Sequence, residues 1–488
     1  MSEVRVRIAP SPSGFLHIGT AKIALFNWLY ARQTGGTFVL RLEDTDADRT
    51  EEEFVQAMCD GFKWLGIDWD EGPAFGDEPQ KGDFGPYRQS ERNQLHRDAG
   101  QKLLSEGKAY RCFCTKEELD IERERAQKEK RPPRYNGKCR ELDAAESQAR
   151  HEADVRNVVR FKVPEGQTII EDLVQGTVET QNKEFDDFVI LKPTGDPIFH
   201  LAVVVDDGDM EITHVFRGDD HLTNTSRHAM LFDALGYTRP IFAHLPMVLD
   251  EQGKKYSKRL HGANVLDWRE DGYLPETMIN YVALMGWSPG DDEEIFTRDE
   301  LVKAFSVDRL GKSAAKFDMK RLQWINGQHM RNMPIEELRD RVLPRLSEAG
   351  IDYSGKSEEW LTQMAAICQE KLKTLNEIVD YTDFFFKDIN EYNAKAVKKQ
   401  FQKEGALDRL EIILAVFQNN ECTTQTLHDA IEVVCEEKDL GLGQINPLVR
   451  LSLSGKMMGP GVFELAELLG KDECLKRLEN AIEYVKGL

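Results

Sequence analysis

Two short clusters carry the chemistry legible in this chain. His17-Ile18-Gly19-Thr20 stands near its start and Lys255-Tyr256-Ser257-Lys258-Arg259 past its middle, 241 positions apart from His17 to Lys258. Ahead of the first, Val4-Arg5-Val6-Arg7-Ile8 alternates apolar and charged residues, the period-2 pattern of a strand. Ala9-Pro10-Ser11-Pro12-Ser13-Gly14 then makes a turn, and Ile23, Phe26, Leu29 and Tyr30 recur at helical spacing until Gly35-Gly36. His17 and Gly19 therefore fall on the first turn of a helix entered from a parallel strand. Free backbone N–H groups and the positive end of the helix dipole attract phosphate there. Gly19 lets a flat ligand such as a purine approach the backbone, and His17 offers a hydrogen bond to a phosphate oxygen.

The second cluster follows a strand-like stretch, Pro240 to Leu249, and a polar loop, Asp250-Glu251-Gln252-Gly253. Lysines on such a loop can reach a triphosphate and stabilise the charge that builds in a transition state. Each cluster alone reads more simply as a helix start with an incidental histidine, or as a solvated basic loop. In this order and together they resemble the HIGH and KMSKS signatures of class I aminoacyl-tRNA synthetases. That resemblance implies one ATP site built from two distant segments, with Lys255, Ser257 and Lys258 joining His17, Gly19 and Thr20 in catalysis.

Further segments narrow the resemblance. Arg7 to Gly14, Glu43-Asp44-Thr45-Asp46 after the second strand, Pro197 to Asp207, and His214-Val215-Phe216-Arg217-Gly218-Asp219-Asp220-His221 look like the glutamate/glutamine branch of that class. The chain closely resembles the glutamyl-tRNA synthetases of bacteria, and the resemblance runs nearly end to end. Met285-Gly286-Trp287-Ser288, Phe317-Asp318, Trp324 to Gly327 and Pro447 to Gly455 continue it. The family joins glutamate to ATP, giving glutamyl-adenylate and pyrophosphate, and passes the acyl group to the terminal ribose of tRNA(Glu). A carboxylate must attack a phosphate, so Lys258, His17, the helix N-terminus and Mg²⁺ would offset the repulsion. No nucleophilic side chain is required, and positioning carries the rest.

A substrate with two carboxylates needs cations at both ends and an acid for its ammonium. By resemblance, Arg7 meets the side-chain carboxylate, Glu43 the ammonium and Arg217 the remaining carboxylate region. Ser11, Phe199 and Val203 complete the glutamate site, and His221 joins the ATP-binding residues. Glutamine would leave Arg7 facing a neutral amide, and an unpaired buried charge costs roughly 3–5 kcal/mol. Three positions depart from the family pattern. Phe199 stands where Tyr is usual, Thr20 replaces the last His of the signature, and Leu260 separates Arg259 from His261-Gly262.

Composition sets the frame. A chain of 488 residues implies about three domains, and 40% hydrophobic content supports ample cores. No run of ~18 apolar residues occurs, so no membrane span is expected. The sequence opens on a charged strand pattern, so no secretory signal is expected. Eight scattered cysteines do not form a disulfide framework, which points to a cytoplasmic protein. A net charge of -22 runs against a polyanionic partner, but a local basic stripe can sit on an acidic whole. The tRNA expectation rests on the motifs.

The elements that must position these residues define an α/β protein in five parts. Residues 1–96 read as the first half of a Rossmann-type catalytic domain, including a helix opened by Thr50-Glu51-Glu52-Glu53. Residues 97–195 form an inserted α+β acceptor-stem-binding domain, and 196–265 resume the sheet at Ile198 and carry the lysine loop. A nucleotide crevice survives such an insertion at the carboxyl ends of the strands. Residues 266–334 form an all-α connector and 335–488 a helical anticodon-binding domain, where Lys371 and Lys373 are anticodon candidates by position. The charged run Glu122 to Lys130 reads as a solvated helix.

Within the insertion, Cys112-Phe113-Cys114 and Cys139 can form a zinc knuckle whose fourth ligand is not evident from spacing, or three reduced thiols. Some bacterial members of the family carry a similar CxC…YxxxC zinc site, which by resemblance makes Tyr135 the fourth ligand and the zinc structural. The resemblance implies a monomer that binds tRNA(Glu), L-glutamate and ATP. Four other readings stand beside it: a glutaminyl enzyme, an enzyme that also charges tRNA(Gln), a shortened relative that glutamylates a modified tRNA base, and a non-catalytic tRNA-binding paralogue. The helical C-terminal half and the HIGT form of the motif oppose the first. Intact His17, Gly19, Glu43, Arg217 and Lys258 oppose the last.

Overall fold

The computed structural model describes residues 3–12, 14–45, 52–256 and 264–488. Chain contacts divide it into two compact units, one of residues 1–268 with 278–318 and the other of 269–277 with 319–488.

The first unit is built on a six-stranded sheet of order β2-β1-β8-β9-β5-β6. These strands are β1 (Arg5–Ile8), β2 (Thr37–Leu40), β5 (Gln167–Asp172), β6 (Gly176–Gln181), β8 (His214–Gly218) and β9 (Ile241–Leu245). β1 pairs in parallel with β2 and β8, β8 with β9, and β9 with β5, while β6 returns antiparallel. The alternation in β1 does not give one wet face. Val6 and Ile8 are buried, but so is Arg7, and Arg5 pairs with Glu71 at 2.9 Å. A central parallel strand is covered on both faces, so its charges must find partners inside.

Helix α1 (Ile18–Thr34) crosses from β1 to β2 and ends on Gly35, whose φ of 65° is the left-handed conformation that suits glycine at a helix stop. α2 (Glu52–Leu65) follows; Thr50 and Glu51 of the expected capping box lie outside the described residues. α3 (Asn93–Ser105) leads into the insertion. There β3 (Ala109–Cys112), β4 (Val158–Phe161) and β7 (Val189–Leu191) make a separate antiparallel sheet of order β3-β4-β7, flanked by α4 (Lys116–Lys128) and α5 (Ala144–Glu152). α4 buries only Ala126, so the charged run on it is a solvated face.

Two features differ from the sequence expectation. The sheet does not resume at Ile198: residues Phe199–Asp209 are a helix, α6, and the next strand of the main sheet is β8 from His214. A continuous apolar run such as Leu201 to Val205 fits a buried strand and a buried helix alike. The insertion is also not separate throughout. Its β5–β6 hairpin joins the main sheet beside β9, with Asp172 in register with Phe242.

α7 (Leu222–Leu235) packs with α6 over the sheet, and Val204, Val205, Val215, Ala229 and Phe232 are shared in one core cluster. After β9, β10 (Val248–Leu249) pairs in parallel with β11 (Ala315–Lys316). The second unit is helical among its described residues, from Met319–Asn332 through Ile335–Glu348 and Glu358–Gln369 to Lys471–Lys486. Leu372, Leu375 and Ile378, spaced as a helix stripe, belong to its core. No helix among the described residues is long and apolar enough to cross a membrane.

Candidate active site

A cavity of about 900 Å³ opens at the carboxyl ends of β1 and β8. Its lining brings together Arg7, Ser11, His17, Gly19, Thr20, Glu43, Phe199, Val203, Arg217, His221 and Lys255 from five segments of the chain. Ser257 and Lys258 lie outside the described residues. Cys112, Cys114, Tyr135 and Cys139 cluster elsewhere, in the insertion.

His17 is the N-cap of α1, with extended backbone (φ -86°, ψ 145°), and its Nδ1 accepts from the Gly19 N–H at 2.9 Å. A Cβ on residue 19 would sit 3.1 Å from that nitrogen, so glycine keeps the cap close. The other ring nitrogen, Nε2, lies 3.0 Å from the Tyr256 carbonyl oxygen. The loop before Tyr256 is closed by Asp250, whose carboxylate accepts from Lys254 N–H at 2.8 Å, and Gly253 turns it with φ 79°. Lys255 reaches the Asp220 carboxylate at 3.2 Å.

One side of the cavity is a buried ion-pair network that the sequence did not reveal. Arg7 Nε meets Asp207 at 3.1 Å, Arg41 Nη1 meets the same carboxylate at 2.7 Å, and Arg92 Nε and His96 Nε2 meet Asp206 at 2.7 and 2.8 Å. Burial pushes the Asp207 carboxyl upward, but Arg7 and Arg41 outweigh it and hold it below its ordinary range. These contacts follow from α6. Phe199 and Val203, four apart, face the cavity, and Asp206 and Asp207, a further turn along, point at the arginines. Once the segment is known to be helical, the two aspartates ending an apolar run are the signal for an internal charge site.

Glu43 lies 3.5 Å from Arg41 Nη2, and burial raises its carboxyl above the usual range despite Arg41 and Arg7. Arg217 is held differently. Its Nε donates to His244 Nε2 at 3.2 Å, its Nη2 to Thr225 Oγ1 at 2.5 Å, and its Nη1 lies 3.2 Å from His228 Nδ1. No carboxylate forms a salt bridge with it among the described residues. Burial, and then the Arg7 charge, bring its guanidinium down to about 9. Lys22, one turn past Gly19, is another residue missed in the sequence. It is buried, donates to the Pro246 carbonyl at 2.8 Å, and burial lowers it to about 8.

In the insertion, Cys114 Sγ lies 3.7 Å from Cys139 Sγ, and the Tyr135 hydroxyl lies 3.3 Å from Cys112 Sγ and 3.8 Å from Cys114 Sγ. Sulfur ligands at ~2.3 Å around a tetrahedral ion stand ~3.8 Å apart, so this spacing fits zinc.

A mostly parallel sheet whose strand ends open on one cavity, with the start of α1, Lys255 and the charged Arg7, Glu43 and Arg217 on its lining, fits a class I aminoacyl-tRNA synthetase. Residues 3–324 match the family described as tRNA synthetases class I (E and Q), catalytic domain, and 337–482 match the family described as anticodon binding domain. The chain is 42% identical over 490 residues to a glutamate–tRNA ligase of Thermoanaerobacter pseudethanolicus, covering all of both chains. It is 42% identical over 492 residues to that of Geobacter sulfurreducens, again covering all of both. The crystal structure of a glutamate tRNA ligase from Elizabethkingia meningosepticum in complex with its amino acid superposes with a TM-score of 0.87 at 32% identity, over 99% of this chain and 100% of that one. The chain belongs to the glutamate–tRNA ligase family.

Proposed function

We propose that this chain activates L-glutamate with ATP and transfers it to the 3′-terminal adenosine of tRNA(Glu). The observation that carries the reading is the pairing of charges on one cavity. Glu43 is a nearly buried carboxylate suited to an ammonium, and Arg217 is a buried cation whose hydrogen-bond acceptors among the described residues are neutral. A zwitterion with a second carboxylate matches both.

Arg217 and Arg7 face the carboxylates, Glu43 the ammonium, and Ser11 donates a supporting hydrogen bond. Phe199 and Val203 form an apolar wall along the methylenes. ATP, carried with Mg²⁺, lies over the start of α1, with His17, Gly19, Thr20 and His221 beside it. Lys255, which lines the same cavity, and by resemblance Ser257 and Lys258 serve its phosphates. In the first step the α-carboxylate attacks the α-phosphate and pyrophosphate leaves; in the second the ribose hydroxyl attacks the acyl carbon and AMP leaves. The lysines and the helix start stabilise the charge that builds at phosphorus.

The charge argument for selecting glutamate over glutamine shifts from Arg7 to Arg217. Arg7 already has Asp207, so an amide in the site does not strand it. The five-part division keeps its roles: residues 97–195 hold the acceptor end, 266–334 the stem and 335–488 the anticodon. Cys112, Cys114, Cys139 and Tyr135 would hold one structural zinc. The enzyme acts as a cytoplasmic monomer.

Aminoacylation with labelled glutamate against purified tRNA(Glu) and tRNA(Gln), with glutamine as control, tests the reading. Charging of tRNA(Glu) alone is expected. Charging of both tRNAs marks a dual-specificity enzyme, charging with glutamine removes the Arg217 argument, and no charging leaves a tRNA-binding paralogue. Lys258→Ala is expected to abolish adenylate formation while leaving tRNA affinity largely intact.

A further inference from the structure

We infer that Asp172 and His244 are positioning residues of the amino-acid site: Asp172 fixes the tautomer of His244, and His244 in turn orients the Arg217 guanidinium toward a substrate carboxylate. The inference rests on Arg217 being a glutamate ligand, as proposed above.

Asp172 ends β5, the strand the insertion lends to the main sheet, and is buried. Its Oδ1 accepts from the N–H groups of Val174 at 2.9 Å and Gln175 at 2.7 Å. Its Oδ2 accepts from the His244 N–H at 3.1 Å and lies 2.5 Å from His244 Nδ1. An ionised carboxylate only accepts, so His244 Nδ1 must carry the ring hydrogen. His244 is fully buried in β9 and kept neutral by that burial. Its Nε2 is therefore a lone pair, and that lone pair faces Arg217 Nε at 3.2 Å and the Thr225 hydroxyl at 2.8 Å.

Arginine has five N–H donors and no acceptor, so a buried arginine is only as well aimed as its acceptors. Here they are His244 Nε2, Thr225 Oγ1 and His228 Nδ1, and His228 Nε2 is set in turn by His200 Nδ1 at 3.1 Å. With the hydrogen of His244 on Nε2 instead, two donors would face each other in a buried place. The guanidinium would turn or lose that bond. The geometry repeats on a binding arginine what a buried aspartate does for a catalytic histidine when it fixes the ring tautomer.

Asp172→Asn tests this. The asparagine oxygen still caps Val174 and Gln175, but its amide now donates to His244 Nδ1 and drives the ring hydrogen to Nε2. In aminoacylation of tRNA(Glu), the KM for glutamate is expected to rise roughly tenfold or more, and the KM for ATP to change by less than about twofold. NMR of the histidine-labelled enzyme should show His244 passing from the Nδ1–H to the Nε2–H form. In Asp172→Asn/His244→Gln, a carboxamide oxygen takes the place of Nε2 whatever stands at 172, and the glutamate KM should return toward the starting value.

An unchanged tautomer, an unchanged glutamate KM, or equal rises in both KM values with a lowered Tm would overturn the inference. Should Asp172→Asn fail to fold, His244→Gln and His244→Leu carry the test: the first is expected to keep the glutamate KM and the second to raise it, and equal behaviour counts against the idea. If Arg217→Gln itself leaves the glutamate KM unchanged, the reading of Arg217 falls and takes the inference with it.

Discussion

His17 Nε2 lies 3.0 Å from the carbonyl oxygen of Tyr256, which ties the start of α1 to the lysine-bearing segment 239 positions later. Because Nδ1 of the same ring accepts from the Gly19 N–H, the imidazole hydrogen sits on Nε2 and is donated to Tyr256. One N–H thus serves two purposes. A phosphate oxygen that takes it would replace the Tyr256 carbonyl as the acceptor of that N–H.

The cap and the tie can be separated by substitution. Asparagine is as good an N-cap as the helix needs, but it is too short to reach Tyr256; alanine does neither. His17→Asn should unfold at nearly the wild-type temperature, and His17→Ala should lose about 1 kcal/mol of stability. Both should lose adenylate formation by roughly a hundredfold or more. Thermal melts and ATP–pyrophosphate exchange with tRNA present measure the two effects. Full activity in His17→Asn would show that the cap is all His17 supplies.

Arg7 and Arg217 should fail in different ways. Arg7→Gln breaks a buried pair with Asp207, although Arg41 still holds that carboxylate at 2.7 Å, so its main effect is a stability loss on the order of 3 kcal/mol. Arg217→Gln removes a cation that forms no salt bridge with a carboxylate among the described residues. It should instead narrow the preference for glutamate over glutamine by about two orders of magnitude with a smaller change in Tm. Competition kinetics with the two amino acids beside urea unfolding would distinguish them, and the reverse pattern would exchange the two roles.

Glu43 supplies a pH test. Burial raises its carboxyl in the folded chain above the ordinary value of 4.5. A raised carboxyl favours the protonated fold, so this group's stabilising contribution is present below 4.5 and is lost as the pH rises through the folded value. Binding an ammonium needs the ionised form. Glutamate affinity should therefore weaken as the pH falls through the raised value toward 4.5, with proton release on binding. Titration calorimetry in buffers of different ionisation enthalpy reads that proton directly. Glu43→Gln should bind weakly and show no such release, and a release that survives the substitution would belong to another group.

How much of this was legible follows from the kind of signal each residue leaves. His17, Gly19 and Lys255 stand in local motifs at strand–helix and strand–loop junctions, where a few neighbours dictate the backbone, and the cavity gathers them. Lys22, Asp206, Asp207 and His244 are polar residues in or beside apolar runs, and the contacts Lys22 to Pro246, Arg41 to Asp207 and His244 to Asp172 span 224, 166 and 72 positions. Only the fold brings such pairs together. The reading of Leu201 to Val205 as strand shows the same limit, because periodicity cannot separate a buried strand from a buried helix. Likewise, nothing local in Gln167 to Gln181 says that this hairpin extends the main sheet.

The cysteine cluster offers a test independent of catalysis. Cys112 and Cys114 flank the end of β3, and Cys139 returns beside them, its backbone N–H donating to the Tyr135 hydroxyl at 3.0 Å. Arg160 lies over the Tyr135 ring, 3.9 Å from its centre. Burial raises the Cys112 thiol, but hydrogen bonds from Tyr135 and Arg160 and the Arg160 charge hold it below its ordinary range. Zinc bound here should therefore stabilise the insertion, since a site that exists only in the folded chain adds its binding energy to folding. Cys139→Ser should lose the metal by elemental analysis and melt earlier. Tyr135→Phe discriminates between four ligands and three: loss of zinc makes the phenolic oxygen a ligand, and retention leaves the three thiolates with a solvent molecule in the fourth place. A wild-type chain purified without chelator that carries no zinc, and whose melting does not respond to added zinc, would leave three reduced thiols packed against a tyrosine.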